Sequence, residues 1–217
     1  KKNLIEKYNE LGYRDAAILE DSVWNEDEKH VNVYIKVDEG QQYYIRNIEW
    51  VGNSVLTSDF LNNALGMKKG DVYNQKLMNK RLKEDEDAVG NYYWNNGYIF
   101  YQLDPTEVNI VGDSIDLEMR IFEGPQAHIN HVRINGNDRL YENVVRRELR
   151  TKPGDLFSKE ALQRSAREIA SMGHFDPEKV NPQPVPDPEN GTVDINYDLE
   201  QKSNDQIEFS LGWGQTG

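Results

Sequence analysis

Gly52-Asn53, followed by Gly70-Asp71-Val72-Tyr73, is the stretch on which the fold turns. Both landmarks return as Gly136-Asn137 and Gly154-Asp155-Leu156-Phe157, displaced by 84 residues (136 − 52 and 154 − 70). Glu39-Gly40 returns as Glu123-Gly124 at the same displacement (123 − 39), and a glycine before an apolar run stands at Gly12, Gly97 and Gly173. Such a period exceeds the roughly 20 to 50 residues of solenoids and propellers, so each unit is expected to be a small domain with its own core, like a bead on a string.

Within the middle unit the apolar period switches in a fixed order. Tyr43 to Val51, with Ile45, Ile48, Trp50 and Val51 apolar, predicts a strand closed by the Gly52-Asn53 turn. Thr57-Ser58-Asp59 then offers N-cap residues before Phe60, Leu61, Ala64 and Leu65 at helical spacing. Asn74 is placed to cap a second helix carrying Met78, Leu82, Val89 and Tyr93, which Gly97 ends. Two strands come next, Tyr98 to Leu103 and Ser114 to Phe122, the latter with Ile115, Leu117, Met119 and Ile121 on one face. The order is β-α-α-β-β.

The third unit repeats it, with a strand over His128 to Asn135, a helix over Glu142 to Arg150, a helix capped by Ser158 with Leu162, Ala166, Ile169 and Ala170 inward, and a last strand over Thr192 to Leu199. Gly70 to Gly97 spans 27 positions and Gly154 to Gly173 spans 19 (97 − 70 and 173 − 154), so the middle unit has 8 extra residues. Glu84-Asp85-Glu86-Asp87 lies in that excess, as an added helical turn or a bulge on a solvated face. Residues 1 to 12 read as the end of a second helix, with strands over Asp15 to Trp24 and His30 to Asp38. The chain is therefore expected to be an excised fragment, divided at 1–43, 44–126, 127–202 and 203–217.

Composition narrows the chemistry. The net charge of −13 is uneven: residues 1–126 hold 14 Lys/Arg against 23 Asp/Glu, and residues 127–202 hold 11 against 13. The first half is thus a poor polyanion binder, and no nucleic-acid partner is expected. Arg146, Arg147, Arg150 and Lys152 cluster in the third unit, where they either meet phosphate headgroups or an acidic partner or form a solvated helix face. There is no cysteine, hence no disulfide, thiol catalysis or Cys-based zinc site. His128 and His131, three apart on a strand, point to opposite faces and make a poor metal pair. Neither G-x-S-x-G nor H-E-x-x-H occurs, and the Gly-Asp pairs lack EF-hand spacing. Catalytic residues, metal and cofactor are all expected to be none.

The β-α-α-β-β order, the strand ending in Gly-Asn, the Gly-Asp-x-aromatic turn, the Asn96-Gly97-Tyr98 and Met172-Gly173-His174-Phe175 steps and the closing Glu-Gly together resemble polypeptide-transport-associated (POTRA) domains over residues 1–202. The resemblance implies an α+β fold of tandem domains, each a three-stranded sheet with two helices on one face, and puts the strand after the second helix at the sheet edge. Residues 1–43 would be the C-terminal part of one domain, with 44–126 and 127–202 complete. The tail, Gln206 to Trp213, alternates with Ile207, Phe209, Leu211 and Trp213 on one side. A half-buried soluble strand gives the same pattern, but after a complete unit and a linker it suits the first lipid-facing strand of an outer-membrane β-barrel.

The resemblance further implies a binding role in a Gram-negative cell envelope, on the periplasmic side of the outer membrane. The expected partners are unfolded outer-membrane β-barrel proteins and periplasmic lipoprotein subunits of an assembly complex, captured by β-augmentation. The candidate edge residues are Ala17, Leu19 and Asp21, and Ile99, Tyr101 and Leu103. Ala16 to Trp24 and Tyr98 to Leu103 hold no proline, whereas Phe175 to Pro188 holds Pro177, Pro182, Pro184, Pro186 and Pro188 and is expected to be blunted. The alternatives are the arm of a related secretion transporter, or a soluble periplasmic scaffold such as a cell-division adaptor.

Overall fold

The structure, a computed structural model, describes residues 1–136 and 142–202. The tail strand expected from Ile207, Phe209, Leu211 and Trp213, and Asn137 of the second Gly-Asn turn, lie outside the described residues.

Helix α1 (Lys2–Glu10) precedes an antiparallel pair, β1 (Ala17–Asn25) and β2 (Val31–Asp38). The middle unit runs β3 (Tyr44–Val51), α2 (Ser58–Leu65), α3 (Gln75–Asn79), a π-helical turn over Lys80–Glu84, α4 (Val89–Trp94), β4 (Gln102–Val111) and β5 (Ser114–Phe122). The third runs β6 (His128–Asn135), α5 (Glu142–Arg147), α6 (Lys159–Ser171), β7 (Asn181–Asp187) and β8 (Thr192–Asp198). The sheet orders are β3-β5-β4 and β6-β8-β7, with the first pair of each parallel and the second antiparallel. The architecture is the expected α+β fold of three-stranded sheets and helices.

The last strand of each unit takes the centre because its alternation is the cleanest. Ile115, Leu117 and Met119 on β5, and Val193, Ile195 and Tyr197 on β8, are buried to within 1%. Helix starts follow from capping: Thr57 Oγ1 accepts from Phe60 N (3.2 Å), Asn74 Oδ1 from Leu77 N (2.8 Å) and Ser158 Oγ from Ala161 N (3.2 Å). The Gly-Asp turns match each other in their bonding. Asp71 Oδ2 and Asp155 Oδ2 each accept from the backbone N–H three residues earlier at 2.9 Å, and Gly70 N and Gly154 N each donate to the first strand at 2.7 Å.

Two expectations are corrected. The second helix of the middle unit is not continuous: after the π-helical turn the backbone extends at Asp85 (ψ 154) and re-enters helix at Val89. Arg81 clamps the break, donating to Asp85 (3.0 Å), Asp87 (2.7 Å) and the Ala64 carbonyl (2.5 Å), so two acids of the acidic run are spent on folding. In addition, Tyr98–Tyr101 is not strand. Tyr98 N donates to Tyr93 O and Tyr101 N to Tyr98 O, both at 3.1 Å, and the Tyr101 ring stacks on Tyr93 at 4.3 Å between centroids. Strand formation is overridden because these half-buried side chains pack against cores: Tyr98 and Tyr101 on the middle core, Ile99 and Phe100 on the third.

A buried carboxylate ties down the loop after β3. Glu123, just past β5, accepts from Ser54 N (2.9 Å), Val55 N (3.0 Å), Ser54 Oγ (2.5 Å) and Tyr93 OH (3.0 Å). Burial pushes its pKa up, but these bonds outweigh burial and hold it below the ordinary carboxylate value.

Candidate binding edges

Each sheet leaves an edge, and the direction of its backbone groups decides what it can bind. Glu26 N, at the end of β1, donates back across the hairpin to His30 O at 3.0 Å. Alternation along β1 therefore turns the groups of Ser22 and Trp24 toward β2 and those of Asp21 and Val23 outward. Leu19 is the extra residue of a bulge between Ile18 and Glu20; it is exposed, as is Ala17, while Asp21 is met by Lys1 Nζ at 2.5 Å. Of the expected residues on this edge, Asp21 turns its backbone groups outward and Leu19 interrupts the ladder.

On the middle sheet the edge strand is β4, beginning at Gln102. Leu103 lies on it; Ile99 and Tyr101 do not, because the Tyr98–Tyr101 turn packs them against the two cores. The true edge also contains Pro105, which the expected stretch did not reach. A proline sits in a paired strand where its missing N–H faces away from the partner. Pro105 pairs with Met119 without breaking the ladder, so Leu103, Pro105 and Glu107 face outward ahead of the bulge that follows Glu107, and the proline removes one donor of those three. Glu107 is already engaged: Arg14 Nε (3.1 Å) and Tyr73 OH (2.7 Å) donate to it, and burial, then this bond, raises the Tyr73 pKa.

On the third sheet the same rule acts at every second residue. Pro182, Pro184 and Pro186 pair with Tyr197, Ile195 and Val193, so all three outward N–H positions of β7 are empty of donors. Their rings line a groove of about 1100 Å³ with Trp94, Ile99 and Leu162, open beside Glu84 and Glu86. The histidines do not converge: His131 binds Asp194 (3.2 Å), to which Arg133 also donates (2.7 Å), a pairing internal to the sheet. Among the described residues no three His, Asp or Glu side chains are grouped to hold a metal. No described helix is long and apolar enough to cross a membrane, which says nothing of a β-barrel. What the arrangement offers is backbone donors and acceptors on β1 and β4.

Known proteins share this layout. The BamA outer-membrane-protein assembly factor of Neisseria meningitidis serogroup B is 29% identical over 215 residues, covering 96% of this chain and 26% of the relative. BamA of Nitratidesulfovibrio vulgaris is 25% identical over 203 residues, 93% of this chain and 25% of that protein. The chain thus spans about a quarter of the length of these relatives. The crystal structure of Haemophilus influenzae BamA POTRA3-5 superposes with a TM-score of 0.72 at 23% identity, covering 92% of this chain and 78% of that one. The POTRA family, described as surface antigen variable number repeat, matches residues 43–124 and 127–202, most of the chain, and the chain belongs to that family.

Proposed function

We propose that this chain is part of the periplasmic arm of an outer-membrane β-barrel assembly factor. Its work is to hold unfolded barrel precursors and periplasmic partner subunits as added strands along β1 and β4. Residues 1–43 act as the second half of a further POTRA domain, 44–126 and 127–202 as complete ones, and 203–217 as a linker and first barrel strand. Similarity to assembly factors supports the setting, and the role is binding rather than catalysis. The observation that carries the strand-capture reading is the contrast in outward donors: Asp21 and Val23 on β1 and Leu103 on β4 keep theirs, whereas β7 has lost all three of the corresponding ones to proline. An extended peptide adds to an edge through such groups with little demand on its own sequence.

The test is the affinity of an unfolded barrel-derived peptide for the chain. Val23→Pro removes an outward donor at an exposed position and should weaken binding about fivefold while the melting temperature holds, since a net hydrogen bond is worth about 1 kcal/mol. Ser22→Pro, whose N–H faces β2, should instead disrupt the hairpin. The reverse experiment restores donors: Pro182→Val, Pro184→Val and Pro186→Val together should make β7 a new binding edge. Undiminished affinity in both Val23→Pro and Leu103→Pro, with no gain on β7, would reject strand capture and redirect attention to the groove between α4, α6 and β7.

A further inference from the structure

Two glycines, Gly12 and Gly97, close the helical stretch of one unit and receive the next, both at positive φ (+88 and +87). The incoming unit grips each with the same three groups. Gln42 Nε2 donates to the carbonyl before Gly12 (Leu11 O, 2.8 Å), and Gln126 Nε2 to the carbonyl before Gly97 (Asn96 O, 3.0 Å). Tyr43 N donates to Gly12 O (2.9 Å), and Ala127 N to Gly97 O (2.8 Å). An aliphatic side chain from the Gly-Asp-x-aromatic turn rests on the bare Cα: a Cβ on Gly12 would lie 2.5 Å from Val72 Cγ1, and one on Gly97 2.6 Å from Leu156 Cδ1. Glycine is required here for close approach, not only for its backbone angle.

Both halves of the joint are held by bonds of their own unit. On the receiving side Tyr13 N donates to Tyr8 O (3.0 Å) and Tyr98 N to Tyr93 O (3.1 Å), each reaching back five residues to finish the helix around the glycine. On the incoming side Tyr73 N donates to Tyr43 O (2.9 Å) and Phe157 N to Ala127 O (3.0 Å), while Ile45 N and Ile129 N donate to Asp71 O and Asp155 O, both at 2.8 Å. Val72 and Leu156 are thereby fixed beside the N–H that caps the glycine carbonyl. The incoming groups all keep the repeat displacement of 84 (126 − 42, 127 − 43 and 156 − 72). Around this shared centre the side chains are unrelated, with Arg14 on Glu107 at the first joint and Lys159 over Trp94 at the second. We propose that the three contacts are one self-sufficient coupling, which sets the angle at which a unit stands on its predecessor whatever surrounds it. The partner that the surface at Gly12 or Gly97 fits is another unit of the same repeat, recognised by a glutamine, the next N–H and an aliphatic side chain in this spacing. The proposal does not depend on strand capture at β1 or β4.

Deleting residues 43–126 removes one period and puts Ala127 in the place of Tyr43 behind the retained Gln42, and Leu156 in the place of Val72. Glu107, Trp94 and Ile99 go with it, so none of the particular side-chain contacts of either joint survives. The absence of native cysteine lets spin labels read the result. Arg120 pairs with Val51, and Asp198 with Asn135, 84 residues on (135 − 51), so the two positions are equivalent. Lys2→Cys with Asp198→Cys in the deleted chain should give a distance distribution with the same centre as Lys2→Cys with Arg120→Cys in the full one. In the full chain, Gly12→Ala should move the centre across the first joint, and Gly97→Ala the centre between Arg120→Cys and Asp198→Cys across the second. Each shift should be about 1 Å or more, because an ordinary carbon contact needs about 3.5 Å. Gly70→Ala and Gly154→Ala control for backbone strain, since both glycines have φ of +91 and nothing within 4 Å, and should leave both centres in place. If the shortened chain loses its cooperative melt, the glycine variants decide alone. A displaced centre in a deleted chain that still melts cooperatively, unmoved centres in both glycine variants, or equal shifts in the controls would each overturn the proposal.

Discussion

At the first joint Arg14 reaches across to Glu107, Tyr43 OH donates to Asp15 (2.9 Å) and Lys76 pairs with Glu10 (2.6 Å), with Val72 on Gly12 as the apolar contact. At the second joint Trp94, Ile99 and Phe100 of the middle unit pack against the core of the third, Lys159 Nζ stands 4.5 Å from the centroid of the Trp94 ring, and Asn95 Oδ1 accepts from Glu160 N. The two joints share a backbone bond, from Tyr43 N to Gly12 O and from Ala127 N to Gly97 O, a glutamine amide, Gln42 on Leu11 O and Gln126 on Asn96 O, and an aliphatic contact on the glycine; the remaining side chains differ in kind. Exposed ion pairs are worth roughly 0 to 1 kcal/mol each and are screened by salt. Buried apolar contacts are neither so weak nor salt-sensitive. Full independence of the units is therefore not expected at the second joint, where partly buried side chains of one unit pack on its neighbour's core, while the first joint can be adjusted by the medium.

The largest expected effect tests that asymmetry. Trp94→Ala with Ile99→Ala should cost the third unit about 3 kcal/mol in a denaturant titration, although both residues precede it in sequence. An unmoved third-unit transition would restore independence. A smaller effect belongs to the first joint: Arg14→Ala should cost about 1 kcal/mol and broaden the distance distribution between spin labels on α1 and β5, as should roughly 1 M salt. Acid should do the same there. Bonds first from Lys7 and then from Lys76 hold the Glu10 pKa below its ordinary value. A carboxyl with a lowered folded pKa stabilises above its unfolded value, about pH 4.3, and loses that contribution as pH falls through the folded one. Label distances across the second joint should stay fixed under both treatments. Smallest is Lys159→Met, which keeps the stem and removes the cation over Trp94 together with its bond to Asn91 Oδ1 (2.8 Å), for about 0.5 to 1 kcal/mol by the same titration.

The helix caps at Thr57, Asn74 and Ser158, the Gly-Asp turns and the central strands β5 and β8 were legible because each is set by residues a few positions apart. The β4 edge was not. Its opening, Gln102-Leu103-Asp104-Pro105-Thr106, is poor in strand formers, whereas the preceding Tyr98-Ile99-Phe100-Tyr101 is rich in them. The Tyr93 ring at the end of α4 and, from the next unit, a core built of residues distant in sequence turn that aromatic run into a half-buried turn. That is why Leu103 lies on the edge strand while Ile99 and Tyr101 do not. Which donors face outward also depends on pairing register, which no single strand contains. Gln42 and Gln126, whose amides donate across the joints to Leu11 O and Asn96 O, carry their own signal in the sequence, since they share the 84-residue displacement of the glycine pairs (126 − 42).

Glu123 and Ser54 are 69 residues apart, with α2, α3, α4 and β4 between them. Their bonds can close only once β5 has entered the sheet, and contacts of such long sequence separation form late in folding. A carboxylate latched after the transition state slows unfolding without hastening folding. Glu123→Gln should accordingly raise the unfolding rate of the middle unit and leave its refolding rate nearly unchanged, so that this side chain sets how long the unit persists once formed.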